Sequence, residues 1–432
     1  MTYDPGMRLG EIANADAESW GKPLAGIRIL AAEQMQALPY ATQLLARLGA
    51  EVVKVEHPLH GESGRGAQPA MTDPDGRNVG ATFLRNNLNK RSVGLDLKAT
   101  EGQALFRSLI PHFDIVAENF KPGTMARMGL AYDDLAAEFP EMIYVSISGF
   151  GNGVGVDADG EGGGAASPYD SWPAYAPIVE AMSGIYEFKR EPGRPPLVAP
   201  VGALGDIGTA LFGVIGILAA LRHRDQTGQG QYVDIAMFDA MVAMTDLVTN
   251  FWSMGVRPDA GGLALIMDGF EASDGWFIVQ VGREHQFAKL AEVVGHPEWV
   301  DDPRFASRAG WRAEMETTLR PAIEGWASSR TRLEACEALS GAGIAAGPCL
   351  DAPEVIGDAH VAARHMLVEM PRTDGVPEPV LVPGNPVKLS KMADGPDERV
   401  PWLGEHTDAV LQAELNLSDN ELARLRAANV IT

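Results

Sequence analysis

Between Gly26 and Glu56 the chain runs through three patterns in close succession. Ile27-Arg28-Ile29-Leu30 reads as a strand, Pro39 to Leu48 as a helix stopped by Gly49, and Glu51 to Glu56 as a second strand. Two strands that close together, joined by a helix, can pair only in parallel, and the crossover between them is right-handed. This stretch therefore commits the chain to an α/β fold. Ligands on such sheets bind beyond the carboxyl ends of the strands, which places Glu33 to Leu38 and the loop beginning at His57 at a candidate site.

The alternation persists. Ser92 to Leu97 predicts a strand, Ala99 to Leu109 a helix, Asp114 to Glu118 and Met142 to Ser148 two more strands. The loop from Pro58 to Val79 is rich in Gly, Pro and polar residues, as a ligand-covering loop would be. Gly149, Gly151, Gly153 and Gly155 imitate a dinucleotide fingerprint, but no helix pattern follows, and Asp157, Asp159 and Glu161 would repel a pyrophosphate. Tyr175 to Tyr186 and Phe238 to Trp252 predict helices, and Gln231 to Ala236 a strand. Around Gly255 to Gly262 the composition shifts to Gly, Pro and Asp, which suggests a linker; a strand at Trp276 to Val281 and several amphipathic helices follow. A chain of 432 residues exceeds one compact core and predicts two domains, one of them interrupted by the other. The divisions are set at 1–225 for the first part of a large domain with an arm at 1–22, 226–340 for linker and small domain, and 341–432 for the return, closed by a helix from Ser418 to Ala428.

Asp206 stands out. It closes Gly202-Ala203-Leu204-Gly205-Asp206, just before a run from Gly208 to Leu221 that is apolar all round and so predicted to be buried. Asp is a favoured N-cap, and that is one explanation. A carboxylate there, with glycines letting a substrate approach the backbone, could instead be a nucleophile.

Charge narrows the partners. A formal net charge of −23 argues against broad binding to nucleic acid or anionic membranes, so an anionic ligand would need local cations. The apolar run is shorter than the roughly 20 residues of a membrane span, and Met1 to Trp20 lacks the pattern of a signal peptide. Cys336 and Cys349, the only cysteines, have no metal-type spacing and fit a reducing cytoplasm. No metal site and no permanently bound cofactor are expected.

Taken in order, several segments resemble the family III CoA-transferases, a group that includes formyl-CoA transferase and carnitine-type enzymes. They are Gly26 to Leu30, Gln36-Ala37-Leu38-Pro39, Leu48 to Glu56, Asn89-Lys90-Arg91-Ser92, Leu95 to Lys98, Glu118-Asn119-Phe120-Lys121-Pro122-Gly123, Ser146 to Gly151, Gly202 to Asp206, Ala219 through Gln231, and Asp302-Pro303-Arg304-Phe305. The set spans about 24 to 366. The resemblance implies a Rossmann-like large domain built from both chain ends, an inserted smaller α+β domain and an interlocked homodimer. It implies that Asp206 is the catalytic aspartate and Gln36 an active-site amide, able to steady a developing oxyanion. Met35, Ala37, His57, Lys90, Asn119, Phe120, Arg127 and Met128 are then the expected coenzyme A contacts, with Lys90, Arg91 and Arg127 as partners for its phosphates.

The implied activity moves CoA between an acyl-CoA and a free carboxylic acid through an aspartyl anhydride and an aspartyl-CoA thioester, the CoA thioester being substrate. An ordinary, unraised carboxylate pKa would suit Asp206 for this. The alternatives are an isomerase or racemase on the same scaffold, or a CoA-binding protein without turnover. Tyr175-Ala176 stands where the related racemases carry His-Asp, which disfavours proton abstraction, and Glu180 reads as a surface or supporting residue rather than a replacement base. His57 stands where formyl-CoA transferase has arginine. Gly261-Gly262 is a poor match to that enzyme's glycine-rich lid.

Overall fold

The computed structural model describes residues 7–153, 167–187, 190, 193–198, 203–257 and 265–432. Gly155, Asp157, Asp159, Glu161 and the Gly261-Gly262 pair lie outside them. The chain divides into two compact units, Met1–Thr245 with Gly357–Thr432, and Asp246–Ile356. The expected divisions at 225 and 340 both fall earlier in the chain than these.

The first unit is built on a six-stranded sheet. Its strands are β1 (Arg28–Ala32), β2 (Glu51–Glu56), β3 (Lys90–Gly94), β4 (Ile115–Glu118), β5 (Ile143–Ser148) and β6 (Tyr232–Ala236). Their order is β3-β2-β1-β4-β5-β6 and every pairing is parallel. This is the doubly wound Rossmann order, in which the winding reverses between β1 and β4 and opens a crevice at the strand ends. β2, β1, β4 and β5 are buried on both faces, as their runs of Val, Ile and Ala require, while β6 at the edge is half-buried.

Helix α1 (Ala37–Arg47) follows β1, α2 (Ala81–Asn86) precedes β3, and α3 (Thr100–Leu109) follows it. Between β5 and β6 lie α4 (Ala176–Met182) and the long α5 (Leu204–Thr227); α6 (Met237–Met244) follows β6. Both chain ends build one core, since Val410, Leu411, Leu422, Leu425 and Ile431 pack with Leu30, Val53, Val93 and Phe106.

Two expectations need correcting here. Helix α5 is not buried all round: Gly205, Gly208, Ala210, Gly213, Ile217 and Ala220 face the interior, while Leu204, Leu211, Ile215 and Leu218 are exposed. It is also longer than the apolar run suggested, because Arg222 to Thr227 continue it, and by length and composition it could cross a membrane. In the fold it packs against α1, α4, α6 and the last two strands. The helix expected over 238–252 breaks instead at Thr245, whose backbone is extended, before a separate π-type turn at Leu247–Trp252.

The second unit holds an antiparallel sheet, with β7 (Ile266–Ala272) pairing β8 (Gly275–Val281) and β8 pairing β9 (Ala345–Pro348). Aromatic side chains fill its core, including Phe287 stacked on Trp311 with ring centroids 4.5 Å apart.

Candidate active site at the sheet reversal

The crevice expected of this strand order is present. The β1 and β4 loops are tied across it, as the Gln34 N–H donates to Asn119 Oδ1 and Asn119 Nδ2 donates back to the Gln34 carbonyl, both at 2.9 Å. Beside this tie lies a cleft of about 170 Å³, lined by Gln34 to Ala37, Asn119 to Pro122, the end of β5, Trp172 to Tyr175, Asp206 and Met237. Met35, Gln36, Ala37, Asn119, Phe120 and Asp206 thus meet there, although Asp206 lies 170 positions from Gln36 in the chain.

Local backbone sets the amide. Met35 has φ of 60°, a left-handed conformation costly for a side-chain-bearing residue. Its N–H is held by Glu62 Oε2 at 2.9 Å. The next residue, Gln36, is the non-helical residue before α1, and its Nε2 is buried with no acceptor among the described residues. Such a donor normally finds a partner, so it is free for one that arrives.

Asp206 is not the cap of α5. Ala203 occupies that position in a left-handed conformation, and no side chain caps the helix there. Asp206 is three residues further on, in the first turn, where the positive end of the helix still acts on it. The cap explanation therefore falls. Its carboxyl does not keep an ordinary pKa either: burial first, then the neighbouring Glu180, push it up to about 6, against an opposing pull from Arg85.

Glu180, read from sequence as a surface or supporting residue, is buried. It accepts from the Gly205 N–H at 2.9 Å and from the Tyr186 hydroxyl, so it ties α4 to the first turn of α5. Gly205 is required at this contact, since a Cβ would sit 2.9 Å from the Val179 side chain and 3.1 Å from Ala176. With both oxygens engaged and no place in the cleft lining, Glu180 is no replacement base. Ala176 is core, whereas Tyr175 is exposed and lines the cleft.

Five expected contacts stand elsewhere. Lys90 is fully buried, and its three N–H donors go to Glu33 Oε1 at 2.6 Å, the Pro39 carbonyl at 2.8 Å and Asn87 Oδ1 at 3.0 Å. No donor remains for a phosphate. Burial pushes its ammonium down to about 8. His57 stacks on His60, ring centroids 4.9 Å apart, outside the cleft. Arg127 is exposed and donates to Thr124 Oγ1, and Met128 is half-buried against the core of the first unit. Arg91 is paired with Glu51 at 2.9 Å. Lys121, which sequence reading quoted only within a motif, lines the cleft.

The family model described as CoA-transferase family III matches residues 24–407. The chain belongs to CoA-transferase family III. This family III enzyme is 34% identical over 416 residues to the succinyl-CoA–L-malate CoA-transferase beta subunit of Chloroflexus aurantiacus, covering 95% of this chain and 98% of that one. It is 33% identical to the succinyl-CoA:mesaconate CoA-transferase of Haloarcula hispanica, with 90% and 95% covered. Among solved structures, a CAIB/BAIF family protein from Brucella suis superposes on this CoA-transferase with a TM-score of 0.76 at 32% identity, covering 91% of this chain and 99% of that one.

Proposed function

We propose that this CoA-transferase moves CoA from an acyl-CoA to a free carboxylic acid with Asp206 as nucleophile. The Asp206 carboxylate attacks the thioester carbonyl, the C–S bond breaks, and a mixed anhydride and CoA thiolate result. The thiolate then attacks the aspartyl carbonyl of the anhydride, releasing the donor acid and leaving an aspartyl-CoA thioester. The incoming carboxylate attacks that thioester and expels the thiolate, which takes the new acyl group and restores Asp206. Each step exchanges one acyl bond for another, so no proton need be moved.

The observation that carries this reading is the shared cleft of a half-buried Asp206 carboxyl and the unpartnered Gln36 amide. The amide is placed to meet the oxygen that gains charge in each attack. Phe120 and Met35 give the pantetheine arm apolar walls, while Lys121, which lines the cleft, is a cation placed for a CoA phosphate. The relatives named for succinyl-CoA make it the donor of first choice. The proposed assembly is a homodimer in the cytoplasm; the exposed stripe Leu204, Leu211, Ile215 and Leu218 on α5 supports a covering partner chain.

The test is trapping. Incubation with succinyl-CoA and hydroxylamine, followed by peptide mass spectrometry, is expected to place a hydroxamate on Asp206. Turnover of succinyl-CoA with no adduct at that residue would sink the mechanism.

A further inference from the structure

We propose that Glu62 is a positioning residue for the transfer reaction, holding the strained Met35 turn and so aiming the Gln36 amide into the cleft; this rests on the CoA-transfer reading above. Glu62 belongs to the loop after β2 and reaches across to the loop after β1, where its Oε2 accepts from the Met35 N–H at 2.9 Å. It stands 27 positions from Met35 and does not line the cleft itself. Its carboxylate is buried and is fixed in turn. Oε2 also accepts from the Gly64 N–H at 2.6 Å, and the Glu62 N–H donates to Glu56 Oε2 at 3.2 Å, an oxygen that Arg65 Nε holds at 2.6 Å. Residue 64 has to be glycine for this carboxylate to fit, since a Cβ there would stand 2.7 Å from Glu62 Oε1.

Of the described residues that line the cleft, Met35 alone carries a side chain at positive φ. Glycine would hold that conformation without strain, whereas methionine needs contacts from outside the turn to keep it. Methionine supplies the cleft with an apolar wall, which glycine cannot. The residue before it is held from outside as well, since Gln34 exchanges two hydrogen bonds with Asn119. The residue after it, Gln36, accepts the Tyr40 N–H at its carbonyl at 2.8 Å and is thereby fixed to α1. The backbone is thus anchored on both sides of Met35, and Glu62 supplies the hold at the strained residue between the two anchors.

A donor for an oxyanion has to stand in place before the charge develops, because ordering it during the step would cancel part of what it contributes. If Met35 left the left-handed region, the peptide joining it to Gln36 would turn, and Gln36 Nε2 would be carried away from the cleft. Loss of the Glu62 contact should therefore fall on the chemical step, and only through Gln36. A side chain that merely satisfied a buried N–H would lower stability and turnover whether or not Gln36 kept its amide.

The experiment is a double-mutant cycle of Glu62→Leu against Gln36→Ala, read as kcat and KM for the exchange of labelled succinate into succinyl-CoA. Glu62→Leu should lower kcat about tenfold or more, with KM for succinyl-CoA within about threefold. Once Gln36 is alanine, the same substitution should cost less than about twofold. Glu62→Gln keeps an oxygen for the Met35 N–H and should recover most of the loss. If Glu62→Leu does not fold, Glu62→Asp takes its place in the cycle, because it keeps the charge facing Lys54 but ends one methylene short of the Met35 N–H. An equal loss in both backgrounds overturns the proposal, as does a loss carried by KM alone or a full kcat in Glu62→Leu. Any of these, with the Gln36→Ala effect intact, removes the positioning role and leaves the transfer reading standing. A full kcat in Gln36→Ala removes the amide's role and the proposal together, and failure of the intact enzyme to exchange succinate removes the transfer reading on which both stand.

Discussion

Two groups of charges sit side by side in the first unit and are treated in opposite ways. Beneath the β1 loop, Glu33, Glu56 and Glu62 face Lys54, Lys90 and Arg65, a balanced set with Lys90–Glu33 and Arg65–Glu56 both at 2.6 Å. At the first turn of α5, Asp206 lines the cleft and Glu180 lies behind it, and among the described residues neither forms an ion pair with a cation and Gln36 Nε2 has no acceptor. Buried charge is tolerable only when paired, so the first group holds the fold together, and the second is the imbalance that the proposed reaction would use. They are also connected. Glu62 belongs to the balanced set and holds the strained Met35, so the network braces the turn that presents Gln36.

The comparison breaks most sharply at its two centres. Asp206→Ala is expected to lower transfer by at least about 10³-fold while the protein still folds, as measured by steady-state assay and thermal melting. Asp206→Asn should behave alike in activity but gain stability at high pH. The folded-state pKa of Asp206 is raised, so its favourable contribution is present below its ordinary value near 4 and lost as pH rises through about 6. At pH 8 the asparagine variant should therefore be more stable by about 2 kcal/mol, and at pH 4 no different. Lys90→Met should show the reverse pattern. Stripping Glu33 of its closest cation is expected to cost about 3–5 kcal/mol in denaturant unfolding. The affinity of the folded enzyme for CoA should stay within about threefold, because no donor of Lys90 was available to it. A stable Lys90→Met variant that had lost CoA binding would reverse the assignment of the two groups.

The backbone of this comparison is legible in the sequence, and the charges are not. β2 has the limits its pattern announced, and β1, β4, β5 and β6 differ from expectation by a residue or two. The reason is that strands buried on both faces write themselves as continuous apolar runs. β7 was missed because Ile266–Ala272 carries Asp268, Gly269 and Glu271 among its apolar residues. The roles of Lys90 and Glu180 depend on partners far along the chain. Lys90 and Glu33 are 57 positions apart, and Gly205 and Glu180 are 25. A lysine in Asn-Lys-Arg-Ser looks the same whether it ends on a phosphate or under a strand. The expected strand began at Ser92, and only with β3 starting at Lys90 does that side chain belong to a strand and have to choose a face.

Gln36 tests whether the free amide is functional or only an accident of packing. Removing one donor from a developing oxyanion typically costs about 10²–10³-fold in turnover, so Gln36→Ala should lower kcat by about 10²-fold with little change in KM. Gln36→Glu places a further carboxylate in the cleft beside Asp206, and should lose as much or more. If Gln36→Ala kept full kcat, the cleft would retain its nucleophile but not its second half, and the unpartnered donor would have no account in catalysis.

The smallest expected effect is the most specific to the acidic side of the comparison. In the proposed mechanism Asp206 attacks only when ionised, so kcat/KM for transfer should climb with pH through about 6 and level off above it. Glu180 is one of the two causes that raise this threshold, and burial is the other. Glu180→Gln removes the charge yet keeps an amide oxygen for the Gly205 N–H, so the first turn of α5 stays anchored. The acid limb should then move down by about half to one pH unit, equivalent to about 1 kcal/mol, while the plateau at pH 8 changes less than about threefold. A limb that stays in place would mean that burial alone sets the threshold and that Glu180 is purely an anchor for the helix. A limb that moves down while the melting temperature holds would mean that the crowded pair is an electrostatic setting of the nucleophile, separable from the packing that positions it.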